Sequence, residues 1–508
     1  MPPEYVTTAG LHSNVSAGRG NASSKRPFRI QTLAFLFCLT AAAIRVHGYH
    51  PFVEDAEIYV PGIKKALNPA LYPQNPGFFA SHARMTLFPN LIAGSARLLY
   101  LPLQWTLLLW HFASIFLLLL ACWRLAQLCF QKELACWGGV TLVAGLLTLP
   151  VAGTALYIMD QYLNTRSLSS FAVLFLLVNV IERKFWRAGL WALFTILIHP
   201  LMMVFGISLA ALFAWMRSRD SQQSPALALW LFPLSLFPPV TQTYRRILDL
   251  HTYFILLRWH WYEWLGVIGP ILILWWFQII ARRKNLAVLA LLCRALIIFQ
   301  LFYTAISLLL GIPALQRFYE LQPMRSLHIV YIIFIVIAGG LLAESLLQKH
   351  FWRWAVLFVP LCAGMFYAQR QLFPATPHIE WPGQPSQNPW VRAFVWVKHN
   401  TPVNAYFALP PDYLNLPGED QHGFRAIAER SRMADLGKDS GSVSMFPALA
   451  ETWQKQVDAL AGWTSFQSSD FRRLKQEFGV NWVVWRGPQV ANLRCPYSDH
   501  GLAVCQIE

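Results

Sequence analysis

Charge is what this 508-residue chain is short of: Asp, Glu, Lys and Arg together make up 13% of it, against 56% hydrophobic residues. An ordinary soluble domain carries about a quarter charged residues, so a single water-soluble globule is excluded. Metal-ligand spacings are absent too. The eight cysteines form no CxxC pair and no Cys/His grouping of zinc-site spacing. No internal or inverted repeat is visible, and no nucleic-acid-binding motif accompanies the net charge of +16. The basic residues fall instead in small clusters at the ends of apolar runs, as in cytoplasmic loops of membrane proteins, so nucleic acid is not an expected partner.

What the chain has in abundance is apolar runs of about 17–25 residues, recurring through the first 370 positions and each long enough to cross a hydrocarbon core of ~30 Å. With 22 Trp and 35 Phe, aromatic belts at both interfaces are well supplied. The expected fold class is an α-helical polytopic membrane protein of about eleven spans. They are drawn at 30–46, 104–123, 135–156, 166–182, 187–200, 201–216, 226–240, 264–281, 286–310, 326–347 and 354–370. Two of these, around "TILIHPLMM" (195–203), also read as one broken helical hairpin. Residues 1–29 are Gly/Ser-rich and read as a disordered cytoplasmic tail. The long stretch before the first span favours an uncleaved anchor over a cleaved signal, despite Ala41-Ala42-Ala43. Basic clusters at Arg124/Lys132, Arg183/Lys184/Arg187, Arg217/Arg219, Arg282/Arg283/Lys284 and Lys349/Arg353 then fall on the cytoplasmic side. With an odd span count, this puts residues 371–508 outside the plasma (inner) membrane.

Segment 371–508 regains polar residues and reads as a soluble extracytoplasmic α/β domain. "NPWVRAFVWVKHN" carries helix-period apolar residues before a short strand at about 405–409. "DFRRLKQEFGVNWVVW" repeats the plan, with Gly479 as the helix stop and a buried strand after it. Cys495 and Cys505 flank a Pro/Ser/Asp/Gly turn, so a terminal hairpin bridged by a disulfide is expected, in an oxidising compartment. Residues 86–99, too short to span, read as an amphipathic helix on the outer interface.

The candidate chemistry lies on that outer side. "HGYHPFVEDAEIYVPGIKK" (48–65) packs Glu54, Asp55 and Glu57 into four positions after the first span. A lone acid there is ordinarily a solvated loop residue, but three so close repel one another, which raises pKa values and suits a site that takes a proton or binds a cation. Asp160, with Arg166 in "LYIMDQYLNTRSLSS", marks the second outer loop. Arg245, Arg246 and Arg258, and later Arg317 and Arg325, are basic residues on the side where the positive-inside rule disfavours them. Snorkelling to headgroups is the plain reading; clamping a phosphate is the functional one. His199, before Pro200, is a packing residue or a supporting one.

This pattern resembles the GT-C class of membrane glycosyltransferases, which use polyprenyl-phosphate-linked sugars. The likeness rests on the Glu54-Asp55 pair after a first span, a helix at 86–99, the basic turn "WRLAQLCFQK" (123–132), Asp160 in "YIMDQYL", an arginine before a late span (Arg325, less closely Arg317) and a C-terminal α/β domain. The histidine-proline element common after the first-loop acids is replaced by "SHARMTLFP" (81–89), and a frequent basic lysine by His199. The resemblance implies a domain 30–370 with a catalytic loop 48–100, and an inverting transfer of a sugar from a polyprenyl-phosphate donor to a glycan, lipid or protein acceptor. Asp55 or Glu54 is then the base, with Asp160 beside it and Glu57 in support. The phosphate falls to Arg325, Arg317, Arg245 and Arg246, and the resemblance leaves open a divalent cation, Mg or Mn. The rival readings are a transporter or flippase of a lipid-linked or anionic substrate, a glycan polymerase or ligase, and a non-catalytic scaffold or sensor.

Overall fold

The computed structural model describes residues 30–219 and 240–508. The expected tail 1–29 and the span expected at 226–240 fall, wholly or all but its last residue, outside the described residues.

Apolar composition makes the first two thirds helical. In order come α1 (Ile30–His47), α2 (Ala56–Leu67), α3 (Gly77–Met85), α4 (Phe88–Leu99), α5 (Leu103–Cys129), α6 (Glu133–Gly145), α7 (Thr165–Ile181), α8 (Phe185–Ile198), α9 (Pro200–Arg219), α10 (Gln242–Leu250), α11 (Trp261–Arg283), α12 (Ala287–Leu309), α13 (Leu327–Leu342) and α14 (Phe351–Leu372). Seven helical stretches among the described residues are long and apolar enough to cross a membrane: α1, α5, Pro200–Ser218, α11, α12, Pro313–Leu347 around α13, and α14. This is the build of a membrane-embedded protein. The runs drawn at 135–156, 166–182 and 187–200 form only the shorter apolar helices α6, α7 and α8. Apolar composition continues past the end of α6, but the backbone leaves the helix at Leu146 and runs irregularly to Asn164. The break at His199 separates α8 from α9.

Helix α13, buried over most of its length, packs on α6 through paired glycines. A Cβ on Gly139 would sit 2.7 Å from the Val336 carbonyl, so only glycine permits this approach. Helix α4 buries Phe88, Pro89, Ile92, Ala93 and Ala96 and exposes Leu98, Leu99 and Tyr100 at its end, the amphipathic pattern expected of 86–99.

The C-terminal region adds α15 (Pro389–Asn400), β1 (Tyr406–Ala408), α16 (Phe424–Ala428), β2 (Ser431–Arg432), α17 (Lys438–Met445), α18 (Ala450–Ala459), α19 (Ser468–Phe478), β3 (Trp482–Arg486), β4 (Leu493–Asp499) and β5 (Leu502–Ile507). Its sheet runs β2-β1-β3-β5-β4, parallel among the first three strands and antiparallel across the last three. Apolar clusters cover both faces: Phe394, Phe407 and Val484 lie in one, Phe471, Val483 and Trp485 in the other. Gly479 takes the left-handed conformation that ends α19. Cys495 and Cys505 form a disulfide across the β4–β5 hairpin.

This domain rests on the loop that follows α1. Tyr49 pairs with the linker near Ile379, and the Glu54 N–H donates to the Gln421 carbonyl. Beneath them lies a buried ionic network. Arg432 Nε donates to Glu57 Oε1 at 2.8 Å, Arg425 holds Asp439 through two bonds of 2.8 and 2.9 Å, and Arg432 also pairs with Asp435 and Asp439.

Candidate active site

Loop one turns sharply where its acids lie. Glu54 adopts φ 56, uncommon for a residue with a side chain, and Asp55 follows as the residue capping α2. The Asp55 carboxylate makes no capping bond to the helix, which leaves it free for other partners. Both side chains border a cavity of about 560 Å³.

The cavity's other walls come from distant parts of the chain. The irregular segment after α6 contributes Tyr157, Asp160 and Tyr162, α7 contributes Arg166, α3 contributes His82, and the turn before α13 contributes Arg325. The C-terminal domain closes it with Lys438, which bonds Glu54 and, at 3.0 Å, Asp55. Three acids and three cations thus surround one space.

The charges differ in how fully they are engaged. Asp160 is buried, paired with Arg166, and accepts a 2.6 Å bond from Asn164 Nδ2; its carboxylate is occupied in holding the arginine. Arg325 pairs with no carboxylate among the described residues, and its Nε is buried without a hydrogen-bond partner. Arg166 Nε is likewise buried without a partner, so both guanidiniums keep unspent hydrogen-bonding capacity, and of the two only Arg325 lacks a carboxylate. Burial alone would raise the Asp55 carboxyl, but the Lys438 ammonium, with Arg166 and Arg325 behind it, outweighs that and holds it down at about 2. Lys438 is raised in turn, its desolvation offset by Asp55 and Glu54. Burial lowers His82 and His251 to about 4, so both are neutral imidazoles at neutral pH.

Several expected site residues lie elsewhere. Glu57 does not support the cavity. Successive helical residues turn by about 100°, so it points roughly 200° away from Asp55, into the network with Arg425 and Arg432. There burial pushes its carboxyl up, the two arginines oppose this, and Asp439 and Asp435 add to the rise. Gly423 makes room for it: a Cβ there would sit 2.6 Å from Glu57 Oε2. Arg245 and Arg246 are exposed on the outer face of α10, because Tyr244, Ile247 and Leu248 fill its inner face; Arg246 pairs with Asp458 at 3.2 Å. Arg258 pairs with Asp249 at the surface. Arg317 is half-buried on the turn before α13, outside the cavity lining. His199 ends α8, near enough to Arg166 and Arg325 to feel their charges, but it does not line the cavity.

Among the described residues no group of three or more His, Cys, Asp or Glu side chains is arranged to hold a metal ion. No protein-family model matches the chain, and no curated protein matches it.

Proposed function

We propose that the protein is a membrane glycosyltransferase of GT-C type that transfers a sugar from a polyprenyl-phosphate donor to an acceptor hydroxyl. The observation that carries this reading is the shared cavity of Asp55, in the loop after α1, and Arg325, on the turn before α13, a carboxylate and a guanidinium with unspent hydrogen-bonding capacity. In this reading the N-terminus is cytoplasmic, the C-terminal domain lies outside the inner membrane, and the shorter helices complete the membrane domain. A transporter would instead hold its polar site near the middle of its spans, between repeats.

The chemistry follows from the groups. Asp55, or Glu54 beside it, takes the proton of the acceptor hydroxyl; the oxygen attacks the anomeric carbon; the bond from that carbon to the phosphate oxygen breaks with inversion, and polyprenyl phosphate leaves. Arg325, with Arg166 held in place by Asp160, neutralises the phosphate. A carboxyl at about 2 is a weak base. An acceptor hydroxyl entering between Asp55 and Lys438 removes an ammonium hydrogen bond and strengthens that base as it binds.

The test is release of polyprenyl phosphate from a panel of labelled polyprenyl-phosphate sugars by the full chain in liposomes. Asp55→Asn is expected to slow release by about 10²–10⁴-fold while the protein stays folded, at a melting temperature lowered by loss of the Lys438 ion pair. Full activity in that variant removes Asp55 as the base, and no turnover of any such donor by the unaltered protein removes the reading.

A further inference from the structure

Away from the acidic cavity, where α2 ends against the C-terminal domain, the molecule gathers cations that few acids answer. Lys64 and Lys398 both bond the same oxygen of Glu429, at 2.8 and 2.7 Å. Arg430, next in the chain, donates to the carbonyls of Lys398 and Thr401 at 2.8 and 2.6 Å. Lys65 donates to the carbonyls of Pro69 and Leu71, and Arg97 to those of Ala66 and Leu67. Lys64 and Lys398 thus share one carboxylate, Glu429, while Lys65, Arg97 and Arg430 bond backbone carbonyls and form no ion pair among the described residues. Burial draws the Lys64 ammonium down to about 8, Glu429 opposes this, and the neighbouring Lys398 adds to the fall.

Two hollows meet at this place. One, of about 380 Å³, has Lys64, Lys398 and Glu429 in its wall together with Pro102, Leu103 and Gln104. The latter two open α5, a membrane-length helix, so the hollow lies level with a membrane boundary, where lipid phosphates sit. The other, of about 750 Å³, is largely apolar, with Trp381, Val391, Val395 and Trp396 in its wall. Phe52 and Gln104 line both, and the Lys64 ammonium lies 5.5 Å over the Phe52 ring. Leu98, Leu99, Tyr100 and Trp105, next in the chain to Pro102, Leu103 and Gln104, are exposed apolar residues.

We infer that this double hollow binds one anionic phospholipid from the leaflet facing the C-terminal domain, its phosphate at Lys64 and Lys398 and an acyl chain in the apolar part. A surplus of ammonium groups at headgroup height beside an apolar slot fits an anionic amphiphile, whereas a zwitterionic lipid brings no net charge to offset theirs. The site is separate from the acidic cavity and does not depend on the transfer reaction.

Native mass spectrometry of the detergent-purified full chain, equilibrated with equal amounts of phosphatidylglycerol and phosphatidylcholine of identical acyl chains, tests this. Phosphatidylglycerol is expected to be retained preferentially, and Lys398→Gln to reduce that preference by roughly fivefold, with a similar further loss on adding Lys64→Gln. Val395→Trp, which fills the apolar hollow and leaves every charge in place, is expected to reduce retention of both lipids. Melting temperatures check folding; where the double variant fails to fold, Lys398→Gln alone decides, since its side chain is 38% exposed. Equal retention of the two lipids by the unaltered protein, or an undiminished preference in Lys398→Gln, overturns the proposal. Displacement of the lipid by glycerol phosphate alone also overturns it, reducing the site to one for soluble phosphate.

Discussion

Lys438 donates a 3.0 Å hydrogen bond to Asp55 across 383 positions of sequence. The membrane-side acid and the C-terminal domain are therefore parts of one site.

Replacing Lys438 with Met tests that link through pH. Asp55 is held at about 2, below its ordinary 3.8, so its ionised form stabilises the fold above 3.8, and this contribution fades as pH falls from 3.8 towards 2. Without the ammonium, burial acts with less opposition and the carboxyl rises. The acid limb of the pH–rate profile is expected to move up by about one unit or more in Lys438→Met. An unmoved limb means that another group sets the protonation of the base.

Arg325 is expected to act on the leaving phosphate. Arg325→Met should lower the rate of polyprenyl phosphate release by roughly 10²–10³-fold. Arg325→Lys should recover part of that loss, since it restores the charge but not the planar fork. Rates of both variants, compared with the unaltered protein in liposomes, check this.

The network around Glu57 predicts effects on stability. It holds Glu57, Asp435 and Asp439 against Arg425 and Arg432, an excess of acid. Arg432→Met leaves buried carboxylates unpaired and is expected to cost about 3–5 kcal/mol, whereas Glu57→Gln removes part of the excess and should cost less. Thermal unfolding in detergent ranks the two. A Glu57→Gln protein that melts normally but has lost transfer activity would return Glu57 to the catalytic group.

The Cys495–Cys505 bridge ties β4 to β5 at the edge of the sheet. Reducing it, or replacing both residues with Ser, is expected to destabilise the C-terminal domain by about 2–4 kcal/mol. Limited proteolysis before and after reduction reads this as faster cleavage within the hairpin.

Much of this architecture was legible because it follows local rules. The apolar runs became helices, the pattern of 86–99 became α4, and Gly479 stopped α19 where a left-handed residue was needed. The nearness of Glu54, Asp55, Asp160 and Arg325 was also readable, since all lie at helix ends on one side. Direction along a helix was the weaker inference. Glu57 and the arginines of α10 were grouped with the cavity but lie on other helix faces, although the buried triplet Tyr244, Ile247 and Leu248 carries the i, i+3, i+4 spacing that would have turned the arginines outward. Lys438 and His82 were missed for a different reason. "GKDSG" (437–441) and "SHARM" (81–85) have no spacing that marks them, and only tertiary packing brings them to the acids.

The short helix α6 has a physical consequence for whatever approaches the site. Thirteen residues at ~1.5 Å each rise about 20 Å, well under the ~30 Å of a bilayer's oily interior. The irregular strand of backbone beyond it supplies Tyr157, Asp160 and Tyr162 to the cavity floor, and such backbone is tolerated at that depth only beside water or protein. On the proposed reading, the floor is a notch below the ends of the longer helices, screened from lipid by protein or water. The polyprenyl-phosphate donor proposed above would meet such a notch sideways, and its ionic end would not need to climb free of the hydrocarbon before being gripped.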